Sequence, residues 1–288
     1  MKSSLRLVFF SAALCIGAFA QTPEKTFAEL KISSTEGHPW RVPVEDWDGA
    51  RRKISEDPGW AAWLAKEKSG VDGWIARRHD RVAWTCGWFH DFVSPRDGST
   101  LTWTAAVPGE DVAFLASPSD PQVGITPKIM GGWVFFFRSH HADMMLRAAA
   151  LYRLTRDEKY AAWAASQLDF YAEHYLEWKV SDRDGAARLY AQTLDEATNG
   201  IKYINTVRLL DSYPAPERRR LWWDRFFRPE AAALNRTFQS IHNIAVWQRC
   251  AAAQFALVYG DDPLWRQSLD GPFGLRAQLA RGITADSL

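Results

Sequence analysis

The sequence predicts an all-α protein made of antiparallel helical hairpins, interrupted near residues 85–130 by an irregular excursion with at most short strands. Three observations carry this. From Gly132 to Arg281 apolar residues recur at three- and four-residue spacing, the period of one helix face. Short links rich in Gly, Pro and Asp punctuate those runs. Hardly any two-residue alternation follows Gly131, so a half-buried sheet has no place there. Stacked hairpins build either an (α/α) toroid around a central cleft or an open solenoid, and the absence of a fixed-period repeat favours the toroid.

Between about Thr35 and Arg81 the pattern is helical. Val44, Trp47, Arg51 and Ile54 keep helical spacing after Pro43. Asp57-Pro58 reads as an N-cap followed by Pro at the first helical position, with Trp60, Trp63 and Leu64 on one face beyond it. The stretch from Thr85 to Met130 carries turn dipeptides at short intervals, among them Ser94-Pro95, Asp97-Gly98, Pro108-Gly109 and Asp120-Pro121, with a candidate short strand at Leu101–Thr104. Long excursions of this kind are often functional. A long amphipathic helix then runs from Gly132 through Trp133, Phe137 and Met144 to Leu154. The next places Tyr160, Trp163, Ala164, Leu168, Tyr171 and Tyr175 on one face. Further helices are predicted over about Ala187–Leu210, Glu217–Leu234, Ile241–Tyr259 and Leu264–Arg281, separated at Pro214 and Pro216 and at Gly260-Asp261-Asp262-Pro263.

At 288 residues, 47% hydrophobic and 24% charged, the chain can bury a sizeable core. Its net charge is +1, and without the first twenty residues, which carry Lys2 and Arg6, it falls by two to −1. Such a balance argues against nucleic acid as the main partner. A polyanionic partner then requires cations gathered in one cleft. The 15 Trp residues point toward carbohydrate, because a flat indole stacks on sugar rings, although any single one is equally suited to packing between helices.

Lys2 and Arg6, the apolar run Leu7–Phe19 and the small-x-small triplet Ala18-Phe19-Ala20 form an export signal over residues 1–20, with Gln21 as the new N-terminus. The expected product, residues 21–288, is periplasmic or secreted. Neither Leu7–Phe19 nor any later run is long and apolar enough to span a membrane. Cys86 and Cys250 pair in an oxidising compartment or remain buried thiols; spacing does not decide. No Cys-x-x-Cys occurs, and the adjacent His140 and His141 near Asp143 point to different helix faces, so neither a metal nor another cofactor is expected.

Several segments resemble the N-terminal region of the heparinase II/III-like polysaccharide lyases, including oligoalginate lyases of similar build. They are Cys86-Gly87-Trp88-Phe89-His90-Asp91 with Pro95-Arg96-Asp97-Gly98; Trp133 to Arg138 leading into Ala148–Thr155 and Lys159-Tyr160-Ala161; Gln192-Thr193-Leu194-Asp195-Glu196-Ala197; Ile241-His242-Asn243-Ile244 with Trp247; and Gly282-Ile283-Thr284-Ala285-Asp286. The resemblance implies an (α/α) toroid domain over 21–288 that cleaves uronate-containing polysaccharide, of alginate or glycosaminoglycan type, by β-elimination. It also implies a β-sandwich, and a Tyr just beyond the Ala-Asp segment, that these 288 residues do not include, so the chain is expected to be an incomplete lyase. Where some relatives carry a metal-binding Cys-x-x-Cys in the excursion, this chain has Ser117-Pro118-Ser119-Asp120.

β-Elimination needs a group that neutralises the uronate carboxylate, a base for the C5 proton and an acid for the leaving O4. His242 is the candidate base, matching the family's catalytic His; its structural alternative is a helix-start residue bonding a neighbouring carbonyl. Asn243 is the candidate carboxylate binder, with an N-cap as its alternative. Trp247, one turn on, stacks on a sugar or packs the core. Arg188, Gln192 and Glu196 form a one-turn series that would line the cleft of a toroid. Arg138 binds a substrate carboxylate or pairs with an acidic side chain. Two other classes stay open: an (α/α)-barrel glycoside hydrolase, with Glu196 and Asp143 as its carboxylates, and a non-catalytic carbohydrate-binding scaffold.

Overall fold

The computed structural model describes residues 44–282. The export signal, Gln21 and the Ile283–Asp286 part of the terminal motif lie outside the described residues. The described chain is mostly helical.

Helix α1 (Trp47–Glu56) starts where the Asp46 carboxylate accepts the Gly49 N–H at 2.8 Å. Asp57 closes α1 and caps α2 (Pro58–Ile75), its carboxylate accepting the Gly59 N–H at 2.7 Å with Pro58 in the first turn. Trp60 and Trp63 share a face as expected, but that face is exposed and the rings meet edge to face. From there to Thr126 the chain is irregular apart from a 3-10 turn at Phe89–Asp91. The strand expected at Leu101–Thr104 does not form. Leu101 and Thr102 each donate one backbone bond, to Phe92 and Ala116, and only isolated bridges such as Val93–Thr100 and Leu115–Val123 occur among the described residues. Leu101, Val107, Leu115 and Val123 are buried one at a time, so the turns between them interrupt any ladder.

Then come α3 (Pro127–Thr155), α4 (Glu158–His174) and α5 (Thr193–Leu210), followed by α6 (Pro216–Trp222), a π-helical turn (Trp223–Phe227) and α7 (Arg228–Arg236). The π turn has a cause in Pro229. Proline lacks an N–H and its ring collides with the carbonyl four residues back. Widening the helix by one residue, so that the Arg228 N–H reaches Trp223 O, relieves that collision. Helices α8 (Asn243–Tyr259), α9 (Asp262–Asp270) and α10 (Leu275–Gly282) follow. Gly260 ends α8 in the left-handed region (φ 68°), and Asp261 caps α9 by accepting the Leu264 N–H. The single helix expected over Leu264–Arg281 is broken between α9 and α10, where Gly271, Pro272 and Gly274 lie.

Cross-links fix the layers. Asp143 with Lys202 and Arg153 with Asp211 set α3 and α5 parallel; Asn205 with Gln254 and Thr193 with Gln248 do the same for α5 and α8. A second layer runs the other way: α2 against α3 through Glu67–Arg147 and Trp74–His141, and α4 beside α6 through Asp169–Arg218. The N-terminal ends of α3, α5 and α8 therefore share one end of the stack. Trp133, Phe137, Tyr171, Tyr203, Phe226, Phe227 and Phe255 fill the space between layers with no exposure. Cys86 and Cys250 are separate free thiols.

Candidate functional site

At the shared end, segment 85–92 lies directly on the first turns of α3. The Gly87 N–H donates to Gly131 O at 2.8 Å, and a Cβ on Gly87 would sit 2.9 Å from the Gly131 carbonyl carbon. Only glycine permits backbones to approach so closely. Beneath this contact lies Arg138, fully buried. Its Nε donates to Asp80 at 2.9 Å, and its terminal nitrogens donate to the carbonyls of Leu189 (2.6 Å) and Trp84 (3.0 Å). Its guanidinium also lies 4.7 Å from the Trp178 ring centroid. The expectation that Arg138 binds substrate is therefore corrected: the acidic-partner alternative holds, because every direction from the guanidinium is filled by protein. Tyr171 donates to the same Asp80 oxygen at 3.1 Å.

The helix predicted over about Ala187–Leu210 begins only at Thr193, and residues 187–192 continue the loop from 178, for an electrostatic reason. The Glu196 carboxylate, in the first turn of α5, accepts the N–H groups of Arg188 (2.5 Å) and Leu189 (2.6 Å) on one oxygen and the Tyr175 hydroxyl on the other (3.1 Å). Asp184 accepts the N–H groups of Ala186, Ala187 and Thr193. These carboxylates take the donors that a helix would have used internally. The series Arg188–Gln192–Glu196 is accordingly not a helical stripe. Arg188 lies in the loop, Gln192 is the residue preceding α5, and Glu196 is buried as the peg around which the loop turns. Burial pushes Glu196 up to about 7 and Asp195 to about 6. Glu230, on α7, is raised well above the ordinary range by burial and by the facing Glu196. The hydrolase pairing of Glu196 with Asp143 is corrected too, since Glu196 has 1% exposure and Asp143 is paired with Lys202 at 2.8 Å.

Between segments 85–91 and 178–191 opens a cleft of about 300 Å³. Trp88, Trp178 and Tyr190 supply its aromatic surface, and Lys179, Arg183 and Arg188 its cations. The guanidinium of Arg183 lies 3.6 Å from the Trp88 ring centroid, and Arg188 donates to the carbonyls of Trp178 (2.6 Å) and Leu176 (3.3 Å). Cys86, on the cleft wall, is driven up to about 12 by burial, which disfavours its thiolate.

The neighbouring α8 begins at the same end, joined to α5 where the Gln248 amide lies 2.8 Å from Thr193 Oγ1 and 2.9 Å from Thr237 Oγ1. His242, not Asn243, is the N-cap: its Nδ1 accepts the Ile244 N–H at 3.1 Å. The bond partner expected for a structural His242 was a carbonyl, and it is an N–H. That matters chemically, because an Nδ1 lone pair engaged by an N–H leaves the neutral ring's proton on Nε2. Asn243 is exposed in the first helical turn, and Trp247 is 46% exposed, which excludes the core-packing alternative. His242, Asn243 and Gln192 thus stand at the starts of adjacent parallel helices, with Arg188 on the cleft wall and Arg138 below it. The loop cations Lys179 and Arg183 escaped sequence reasoning. Trp88, within a quoted segment, carried no signal beyond being one Trp among 15.

No known family profile matches the chain. Over 149 residues, 49% of its length, the chain is 30% identical to an exo-oligoalginate lyase of Saccharophagus degradans. The match spans 20% of that enzyme, so the chain answers to about a fifth of the relative's length. At this distance the similarity supports a relationship to the polysaccharide lyases.

Proposed function

We propose that this chain is the helical part of an exported lyase of the heparinase II/III-like kind, its hairpins belonging to an (α/α) toroid, and that it acts on a uronate-containing polysaccharide by β-elimination. The observation that carries the reading is the exposed His242-Asn243 pair at the start of α8, at the same end of the stack as an aromatic and cationic cleft. A helix N-terminus favours negative charge. The Asn243 amide and the first-turn N–H groups hold the uronate carboxylate and stabilise the charge that develops on it as the C5 proton leaves. The C5–H electron pair then forms the C4=C5 bond and expels O4, which takes a proton from water as it leaves. His242 takes the C5 proton through Nδ1 after releasing the Ile244 cap, a loss of about 1 kcal/mol, small beside the gain of about 10²–10⁴ in rate from a positioned base.

The test is incubation of the protein expressed from its complete coding sequence with oligouronates while following the absorbance of the new C4=C5 double bond. The expected result is unsaturated product, reduced by about 10²-fold or more in His242→Ala and Asn243→Ala. Reducing ends without unsaturation would identify a hydrolase, and binding without either product a scaffold; both results sink the lyase reading.

A further inference from the structure

The electrostatic pairing within the cleft is uneven. Its two lining aspartates are each met by a lysine, Asp91 by Lys128 at 3.2 Å and Asp182 by Lys179 at 2.8 Å. Its two arginines, Arg183 and Arg188, have no carboxylate within ion-pair distance among the described residues; Asp195 feels the charge of Arg183 only from beyond that distance. Arg183 is exposed, and its side-chain N–H groups have no hydrogen-bond partner among the described residues. Yet its guanidinium carbon lies 3.6 Å over the Trp88 ring. A guanidinium stacked on an indole keeps its edge free, and that edge is the fork that matches the two oxygens of a carboxylate. Trp88 is itself placed by the Gly87–Gly131 contact, and Arg188 by two carbonyls of the facing wall, so both cations are set before any ligand arrives. A volume of about 300 Å³ lies at the small end of ligand pockets, ~300–1,000 Å³, and suits one or two sugar rings rather than a long run of polymer.

We propose that Arg183 on Trp88, together with Arg188, forms a carboxylate-binding subsite that selects an acidic sugar ring over a neutral one. The substrate class rests on the uronate reading given above; the subsite itself rests on cleft geometry and on two arginines without a direct ion pair. A carboxylate and a sulfate ester share the chemistry of an oxyanion on a guanidinium fork, and the ligand panel separates them.

The experiment is titration calorimetry of the 288-residue chain with short oligouronates, neutral oligosaccharides of the same length and a sulfated neutral oligosaccharide. Oligouronate should bind best, more weakly as salt rises. Arg183→Gln should weaken it by about tenfold or more with the thermal midpoint unchanged. Arg183→Lys, which keeps the charge but not the fork, should fall between. Equal binding of neutral sugar, tighter binding of the sulfated one, or an unaltered Kd in Arg183→Gln overturns the subsite. Arg183-dependent binding by the 288-residue chain, with no unsaturated product from the protein expressed from its complete coding sequence, leaves the subsite standing and removes the lyase reading. Unsaturated product with Arg183-independent binding does the reverse.

Discussion

Arg138 directs its donors to Asp80, Leu189 and Trp84 and its face to Trp178, so it ties both walls of the cleft to the longest helix without touching the cleft space. Removing one member of such a buried pair strands the other charge. Arg138→Met should cost about 3–5 kcal/mol of stability, measured by chemical denaturation, because Asp80 would keep only the Tyr171 hydroxyl and the Arg81 N–H as partners, neither of them charged. Adding Asp80→Asn should recover a large part of that loss; if the double variant is as unstable as the single one, the stranded-charge explanation is wrong. The sequence showed that Arg138 follows an apolar run and left open whether its partner is ligand or protein. The choice was illegible because Asp80 is 58 positions away, brought in by α2 folding back along α3.

The loop 178–192 shows how an element is decided by its neighbours. Ala187, Leu189 and Tyr190 are buried, so their spacing mimics a helix face, but they are buried because the loop lies over α5. The deciding residues are Asp184 and Glu196, whose carboxylates replace a backbone ladder. Asp184→Ala should cost about 1–2 kcal/mol and speed hydrogen exchange at Ala186, Ala187 and Thr193, with exchange in α4 unchanged. Elsewhere local chemistry was sufficient: Asp57-Pro58 and Gly260-Asp261 start and stop helices where turn chemistry says they must. The break between α9 and α10 was missed although Gly271, Pro272 and Gly274 stand in the sequence, because Leu264, Leu269, Leu275 and Leu279 carry an apolar pattern across it. For the proposed site, the His242-Asn243 pair was singled out through family resemblance. The Trp88–Arg183 stack was not, since it joins two loops with no periodicity.

At the scale of the whole molecule, the buried acids give stability a definite pH slope. Asp195, Glu196 and Glu230 are all raised in the folded state, so folding binds protons that the unfolded chain releases. Their contribution is complete below the ordinary carboxylate range and is lost as pH climbs through about 6 to 7 and beyond. Glu45, held low by its Arg208 hydrogen bond, and Asp111, held low by the Val107 N–H and then by Arg78, act in the opposite sense, and their contribution disappears only in more acid solution. Calorimetry should find the highest melting temperature near about pH 5 and a decline toward about pH 8. Glu196→Gln, whose amide oxygen still accepts the Arg188 and Leu189 N–H groups, should flatten that decline; an unchanged slope would mean that Glu196 does not carry it. A different consequence follows from the lengths of the links between helices. At the end away from the cleft the chain reverses through Arg156-Asp157, residues 211–215 and Gly260-Asp261, whereas at the cleft end it runs through residues 76–126, 175–192 and 237–242. Tight turns tolerate few changes and long surface connections accept many. Insertions and swapped loop sequences should thus be accommodated almost entirely at the cleft end, which makes this scaffold one on which ligand preference can diversify while the opposite end keeps the register of every hairpin.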